Sequence, residues 1–550
     1  MHFLYRGRWD EGQAWRRELG RNVASAGSAS SAWAPLRIPV FRALWIGVLD
    51  SNVGTWMQTV GAQWLVVHDA HAAVLVSLVQ TAYTLPAVLF ALVGGVLADI
   101  FNRVKLLVAV LAGMTAAGAA LTVLTAVHRM PPALLLMFTF VLGTGAILTL
   151  PAYQSLVPDM VPREEIPSAA ALSSISINLS RAIGPAIAGV LVARIGVAAV
   201  FAVNTATILL YAIVVAAHPR LGGTPKSPER FLPGLRAGGR YVRNAPVVQR
   251  ILLRAALFLV PGTALWALLP LIATTRLGLG AGGYGLLLAA LGVGAIGGAF
   301  ILPRLRARLS ANALVAAASL VYAAALVVVV LSRNVALTIV VLLPAGVAWI
   351  AFLSNVNAAM QLFLPRWVRA RGLAVYQMVL FGAQAGGAVI WGVVAGATGL
   401  VPTFLIAAAV MAAGAATIWF WPFYQIENMD RSLVRWPDPQ LLISADGGDR
   451  PVLVQTTYTI SPAREQPFLQ AMVELRRSRL RTGATDWGLY QDGRNPRLFV
   501  EVFSVPSWEE HLRQHDERQT GTDLEYHDKA AALSDPPPRI DHYLAAAVHE

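Results

Sequence analysis

The sequence predicts an all-α polytopic membrane protein, twelve transmembrane helices in two six-helix halves, followed by a small α+β soluble domain. Three observations predict it. The 550 residues are 56% hydrophobic and only 13% charged, with a mean hydropathy of +0.58, whereas an ordinary soluble chain is about 25% charged. Apolar runs of about 20 residues, the length that crosses a hydrocarbon core of about 30 Å, recur from Leu44 to Phe423. The pattern of the first half returns about 200 positions later.

The segment 1–42 is basic and holds no apolar stretch with a small-residue cleavage site, so no signal peptide is expected. Six spans follow at about 44–68, 74–98, 105–127, 133–157, 168–194 and 198–217, forming a first half over 43–217. A basic linker, 218–250, separates it from a second half over 251–423, with spans at about 251–275, 283–303, 311–332, 335–364, 370–397 and 401–423.

The net charge of +13 alternates by loop parity. One side receives Arg37, Arg42, Arg103, Lys105, Arg304, Arg306, Arg308, Arg369 and Arg371; the other receives only Arg129, Arg194, Arg276 and Arg333. Because Lys and Arg in short loops set orientation, both termini are expected in the cytoplasm, and the distribution argues against a nucleic-acid partner. The chain has no cysteine, which excludes disulfides, thiolate chemistry and cysteine-bound metal.

An internal repeat supports the division into halves. "GVLADIFNRVK" aligns with "GAFILPRLRAR", matching Gly95 to Gly298, Arg103 to Arg306 and Lys105 to Arg308 at a constant offset of 203, which Gly189 and Gly392 share. Gly54-Thr55 matches Gly262-Thr263 at an offset of 208. Ordered matches of this kind are expected of a transporter built from duplicated units.

After Phe423 the composition turns polar and rich in Pro, Asp and Gly, giving a linker over 424–450 and a soluble domain over 451–550. There "VLVQTTYTI" alternates as a strand, "PAREQPFLQAMVELRRSRLRTG" has helical spacing, and "DWGLYQD" and "RLFVEVFSV" form a strand pair. "SWEEHLRQHDERQTGTDLEYHDKAAAL" reads as helical and "RIDHYLAAA" as a last strand. The order βαββαβ is the ferredoxin-like plan.

"GGVLADIFNRVKLL" resembles the loop signature of the major facilitator superfamily, with Gly95, Asp99, Arg103 and Lys105 on its Gly, Asp and basic positions. Asn102 replaces a loop glycine and is expected to adopt its positive φ. Physically, Gly95 lets two helices approach, Asp99 meets a helix N-terminus or Arg103, and the basic residues sit at anionic headgroups, so the cluster can latch one conformation or simply set topology. "SRAIGPAIAG" resembles the fifth-helix signature of exporters and antiporters, with Gly184, Pro185 and Gly189 on its conserved positions; small residues permit close packing and the proline makes a kink. With "SNVGTWMQTVGAQWLVV", these motifs resemble the enterobactin-exporter-like branch over residues 41–424.

Arg181 stands inside this apolar helix. A charge near the bilayer centre costs about 2.5–3.5 kcal/mol on insertion scales, so it should have a partner or face a polar cavity. Asn178, three residues away, cannot neutralise it. Asp50 on the first helix is the only acid well inside a span, and an Asp50–Arg181 pair is the first expectation. Two others stay open: Asp50 at the water rim with Arg181 on backbone carbonyls, or Arg181 as receptor for an anionic substrate. Gln58 and Tyr83 are further cavity candidates; Trp56, Trp64, Trp266 and Trp391 read mainly as packing. In the soluble domain His511 and His515 share a helix face, read as solvated or interfacial and not as a metal site.

The resemblance implies an inner-membrane exporter of a small amphipathic molecule such as a siderophore or drug, coupled to protons, with Asp50 as carrier and no cofactor. The soluble domain resembles the antibiotic-biosynthesis-monooxygenase group of dimeric α+β barrels. That leaves a membrane-anchored enzyme, or a regulatory or dimerising tail, as alternatives.

Overall fold

The structure, a computed structural model, describes residues 33–221, 238–365, 367–422 and 450–546. Its first half contains α1 (Pro39–Leu65), α2 (Ala72–Ile100), α3 (Arg103–Ala126), α4 (Pro132–Met160), α5 (Ile166–Arg194) and α6 (Val197–Ala216). The second contains α7 (Pro246–Leu271), α8 (Ala281–Arg308), α9 (Ala311–Leu331), α10 (Val335–Phe363), α11 (Arg369–Thr398) and α12 (Leu400–Ala416). Among the described residues ten helices are long and apolar enough to cross a membrane. The other two are α12, with 17 residues, and α1, whose 27 residues include Asp50, Asn52, Gln58 and Gln63.

Several helices overrun their predicted spans. The first starts at Pro39 and the seventh at Pro246, both prolines at a first-turn position where the missing N–H has no intrahelical partner to lose. Hydropathy marks the hydrocarbon layer, whereas backbone hydrogen bonding continues beyond it. The expected linker at 218–250 accordingly includes a helical stretch at 238–243, while 222–237, and 423–449 of the second linker, lie outside the described residues.

The two halves repeat one packing scheme. In the first, α1 packs on α5 and α6, α2 on α4, and α3 on α6; in the second, α7 packs on α11 and α12, α8 on α10, and α9 on α12. The turn into α6 is made by Gly196 at φ 111° and the turn into α12 by Gly399 at φ 85°, both in the left-handed region that glycine reaches without a Cβ clash. These positions are also 203 apart, so the duplication extends to its sharpest corners.

Two helix pairs, α5 with α8 and α2 with α11, join the halves. A Cβ on Gly189 would lie 2.8 Å from the Ala281 carbonyl oxygen, and one on Gly285 2.5 Å from that of Pro185. In the second pair Gly392 lies directly on Ser77, and Thr81 Oγ1 donates to the Ala385 carbonyl at 3.1 Å. Gly189 and Gly392 are near the ends of α5 and α11 that lead to the α5–α6 and α11–α12 turns, away from the basic loops.

At the basic-loop end three sequence expectations are corrected. Asn102 has φ −60° and caps α3 by accepting from Lys105 N–H at 3.1 Å, since an asparagine before a helix gains more as an N-cap than in a left-handed turn. Gly95 faces open space; its neighbour Gly94 makes the close approach, to Ile147. Arg103 reaches the Ser155 carbonyl at 3.2 Å and the Asp159 carboxylate at 3.3 Å, tying α3 to α4. The side chain of Asp99 lies outside the described residues.

The soluble domain comprises β1 (Val452–Thr459), α13 (Glu465–Thr482), β2 (Asp486–Gln491), β3 (Leu498–Val505), α14 (Trp508–Arg513), α15 (Gly521–Ala531) and β4 (Arg539–Leu544). The sheet is antiparallel in the order β2-β3-β1-β4, as the βαββαβ plan requires. The expected single second helix is divided. A π-helical turn over Gln514–Arg518 ends the first piece, and a capping box of Thr520 with Asp523 starts α15.

Because Gly285 has no room for a side chain, Gly285→Leu should cost about 1–3 kcal/mol of overpacking. The purified protein should melt at lower temperature, while Gly297→Leu, which faces open space, should melt as the parent does. Equal melting of the two variants would contradict the close contact.

Candidate functional site

A cavity of about 500 Å³ opens inside the first half. Residues of all six helices line it, including Ser51, Asn52 and Thr55 of α1, Tyr83 of α2, Tyr153 of α4, Ser173 of α5 and Tyr211 of α6. None of the lining residues is charged, so the wall is apolar with scattered hydroxyl and amide groups. It runs toward Pro158 and Ile166 at the basic-loop end, while the Gly189 and Gly392 contacts of the α5–α8 and α2–α11 pairs lie toward the other.

Arg181 is placed above this cavity. Its guanidinium carbon lies 5.5 Å from the ring centre of Trp56 on α1 and 5.8 Å from that of Trp266 on α7. The two rings, 5.8 Å apart, come from opposite halves. Nε of Arg181 is enclosed and has no hydrogen-bond partner. Tyr83 lies within electrostatic reach, and Ile177, one turn earlier on α5, lines the cavity. A desolvated cation–π contact contributes about 2 kcal/mol, so two such faces offset an insertion cost of about 2.5–3.5 kcal/mol.

The expected Asp50–Arg181 pair is not formed: among the described residues no ion pair joins them. The helical phase explains this. Asp50 lies within a turn of Gly47 and Gly54, which pack on Tyr211 and Asn204 of α6, whereas Ser51, Asn52 and Thr55 turn to the cavity. Gln58 is buried and accepts from Asn204 Nδ2, bridging α1 to α6 instead of facing the cavity. Asn178 donates to its own helix at the Ser174 carbonyl, 2.9 Å away. Gly184 lies against Val53 and Trp56, so the small residue that permits α5 to approach α1 also seats the tryptophan under Arg181. Trp64 stacks on Tyr284 and Trp391 donates to the Val260 carbonyl, both packing roles.

The soluble domain holds a polar core that the sequence reading missed. Glu501, fully buried on β3, accepts from Tyr458 Oη at 3.0 Å, Arg479 Nε at 3.2 Å and Trp487 Nε1 at 2.9 Å. Alternation in "LFVEVFSV" was the available signal, since it puts Glu501 on the face of Phe499 and Phe503. His511 and His515 are interior and not on a solvated face: their rings lie 4.6 Å apart, with His542 of β4 5.0 Å from His511. Burial, then the neighbouring His515 and His542, push His511 down to about 3. The domain touches the helical part through Arg518, whose guanidinium lies 4.8 Å over the ring of Trp367 between α10 and α11.

Two pseudo-symmetric six-helix halves, joined mainly by two helix pairs and with a cavity inside the first, are the architecture of a membrane transporter. The chain belongs to the transmembrane secretion effector family of the major facilitator superfamily, whose model matches residues 30–549 and therefore includes the α+β domain. It is similar to the enterobactin exporter of Citrobacter koseri, 29% identical over 48% of this chain and 62% of that protein. It is also similar to the staphyloferrin A transporter of Staphylococcus aureus, 24% identical over 40% and 56%. With the macrolide efflux protein A of Streptococcus pyogenes it is 24% identical over 42% and 58%. The chain thus spans about half to three fifths of the length of these relatives. A bacterial homologue of the human lysosomal transporter Spinster, inward-facing and occupied, shares the fold at 15% identity with a TM-score of 0.55, over 70% of this chain and 97% of that one. So does a peptide transporter in complex with sulfate, at 14% identity and TM-score 0.55, over 68% and 94%.

His511 sets a pH dependence for the soluble domain. The unfolded chain takes up a proton there near its usual value of 6.5, whereas the folded domain resists until about 3. The stability is therefore present above about pH 6.5 and lost as pH falls toward 3. Protease resistance of the domain in the intact chain should fall between pH 7 and 5, and His511→Phe should reduce that fall.

Proposed function

We propose that the chain is a secondary active exporter of a small amphipathic molecule, of the siderophore or drug type, working by alternating access and proton antiport. It is placed in the inner membrane with both termini cytoplasmic, since the basic loops and the open end of the cavity share one side. The observation that carries this reading is the first-half cavity, which extends toward the basic-loop end, with the Gly189 and Gly392 contacts between the halves toward the other. That arrangement loads from the cytoplasm and releases outward once the two helix pairs separate. The names of the relatives support siderophores and macrolides as substrate types.

Asp50 is the carboxylate assigned to proton coupling, from α1 beside the cavity lining. Gly95, Asp99, Arg103 and Lys105 form the conformational latch, the Arg103–Asp159 pair holding α3 against α4 in the inward-open state. For the soluble domain the Arg518–Trp367 contact favours a docked regulatory or dimerising module over a separate enzyme, because it engages the loop that must move with α11.

Inverted vesicles carrying the protein should release an imposed proton gradient when siderophores, macrolides or dyes are added. Asp50→Asn should insert normally and abolish that release. Proton-linked export at the parental rate in Asp50→Asn would remove it as carrier, and no proton movement with any substrate in the parent would overturn antiport.

A further inference from the structure

The guanidinium of Arg181 has two neighbouring tryptophan rings against it and an enclosed Nε with no acceptor. Trp56 and Trp266 lie beside one another at 5.5 and 5.8 Å from the guanidinium carbon, and among the described residues no carboxylate pairs with the group. Tryptophan faces stabilise the positive charge but accept none of its N–H groups. An arginine carries five donors in a fixed fork, and leaving a buried donor unmatched costs about 1–3 kcal/mol, more for a charged group. The protein retains this unfavourable arrangement beside a cavity whose lining contains no carboxylate. Ile177 and Tyr83 place the cavity next to the arginine.

We infer that Arg181 is an anion receptor and that the cargo is an organic oxyanion, with a carboxylate-like planar head and an apolar or aromatic body. A bidentate oxyanion matches the fork of N–H groups in its own plane, and both rings lie in one direction from the guanidinium carbon, so they do not enclose it. The hydroxyl of Tyr83 within the cavity supplies a neutral donor to the rest of the molecule, and the apolar wall accepts its body. A cationic substrate would meet like charge with no carboxylate to receive it. The two tryptophans also give the site a state dependence. Trp56 belongs to the first half and Trp266 to the second, so separation of the halves removes one of the two rings from the arginine and changes its hold on the anion.

The inference rests on the export reading only for the statement that the ligand is cargo; anion binding is tested without transport. Three probes of one shape serve: 2-naphthoate, its methyl ester, and 2-naphthylmethylammonium, titrated against the full chain in nanodiscs by quenching of tryptophan fluorescence. Naphthoate should bind at least tenfold more tightly than the ester, and the ammonium should not bind. Arg181→Gln should abolish the preference for the acid over the ester, and Arg181→Lys should keep it in weakened form, because charge persists while the fork is lost. A folding defect is separated by the ester, whose binding should be the same in all three proteins. Equal binding of acid and ester to the parent, no binding of any probe, or an unchanged preference in Arg181→Gln would each overturn the assignment. Proton-linked export of neutral substrates beside any of those results would leave the export reading standing and remove only the oxyanion.

Discussion

The structure depends on two backbone-to-backbone approaches, α5 on α8 and α2 on α11. Between apolar helices in lipid no hydrophobic driving force favours association, so contact area and close packing must supply it. Glycine supplies the closeness: Gly189 meets Ala281 and Gly285, and Gly392 meets Ser77. Both contacts lie toward the end opposite the basic loops, and Gly95 and Gly297, nearer those loops, touch nothing. The α5–α8 contact continues to mid-helix at Gly292 on Ala182, so the pairs are closest from the middle to the end opposite the basic loops.

The same contacts bring Trp56 and Trp266, from opposite halves, together beside Arg181. Without α5 held on α8 the second tryptophan would not reach an arginine of the first half. The charge is thus accommodated by an interface and not by a salt bridge, and its environment depends on how the halves are arranged. A fixed carboxylate partner would hold the arginine equally in every state. Two rings on separate bodies do not.

The twelve helices, the duplication and the small α+β domain were legible because each rests on a periodic signal: apolar length, a constant offset, and alternation of two. Gly189 and Gly392 were legible as equivalents, and the structure gives them equivalent contacts. What failed was the pairing of side chains across helices. Asp50 and Arg181 were joined because they were the only opposite charges at similar depth, but depth does not report rotation about a helix axis, and Asp50 lies on the α6 flank of α1. Arg103 found Asp159 on α4 because a long side chain at a helix start reaches tertiary neighbours as readily as local ones. Trp56 and Trp266 were read as packing residues, which they are; that they pack on a cation required knowing that α1, α5 and α7 converge.

The halves repeat in backbone but not in what fills them. Phe258 of α7 stacks on Phe352 of α10 at 3.8 Å and lies within 5.7 Å of Trp349, which also contacts Tyr322 and Trp266. The space between α7, α9, α10 and α12 shrinks to about 10 Å³, against about 500 Å³ in the first half. At the position equivalent to Tyr211, which lines the larger cavity, stands Gly414, which borders the smaller. Duplicated scaffolds of equal volume would offer two half-sites facing one another. Here aromatic rings crowd the space around Phe258, and what cavity the second half keeps, about 210 Å³, lies at the start of α7 beside Arg254 and Trp421.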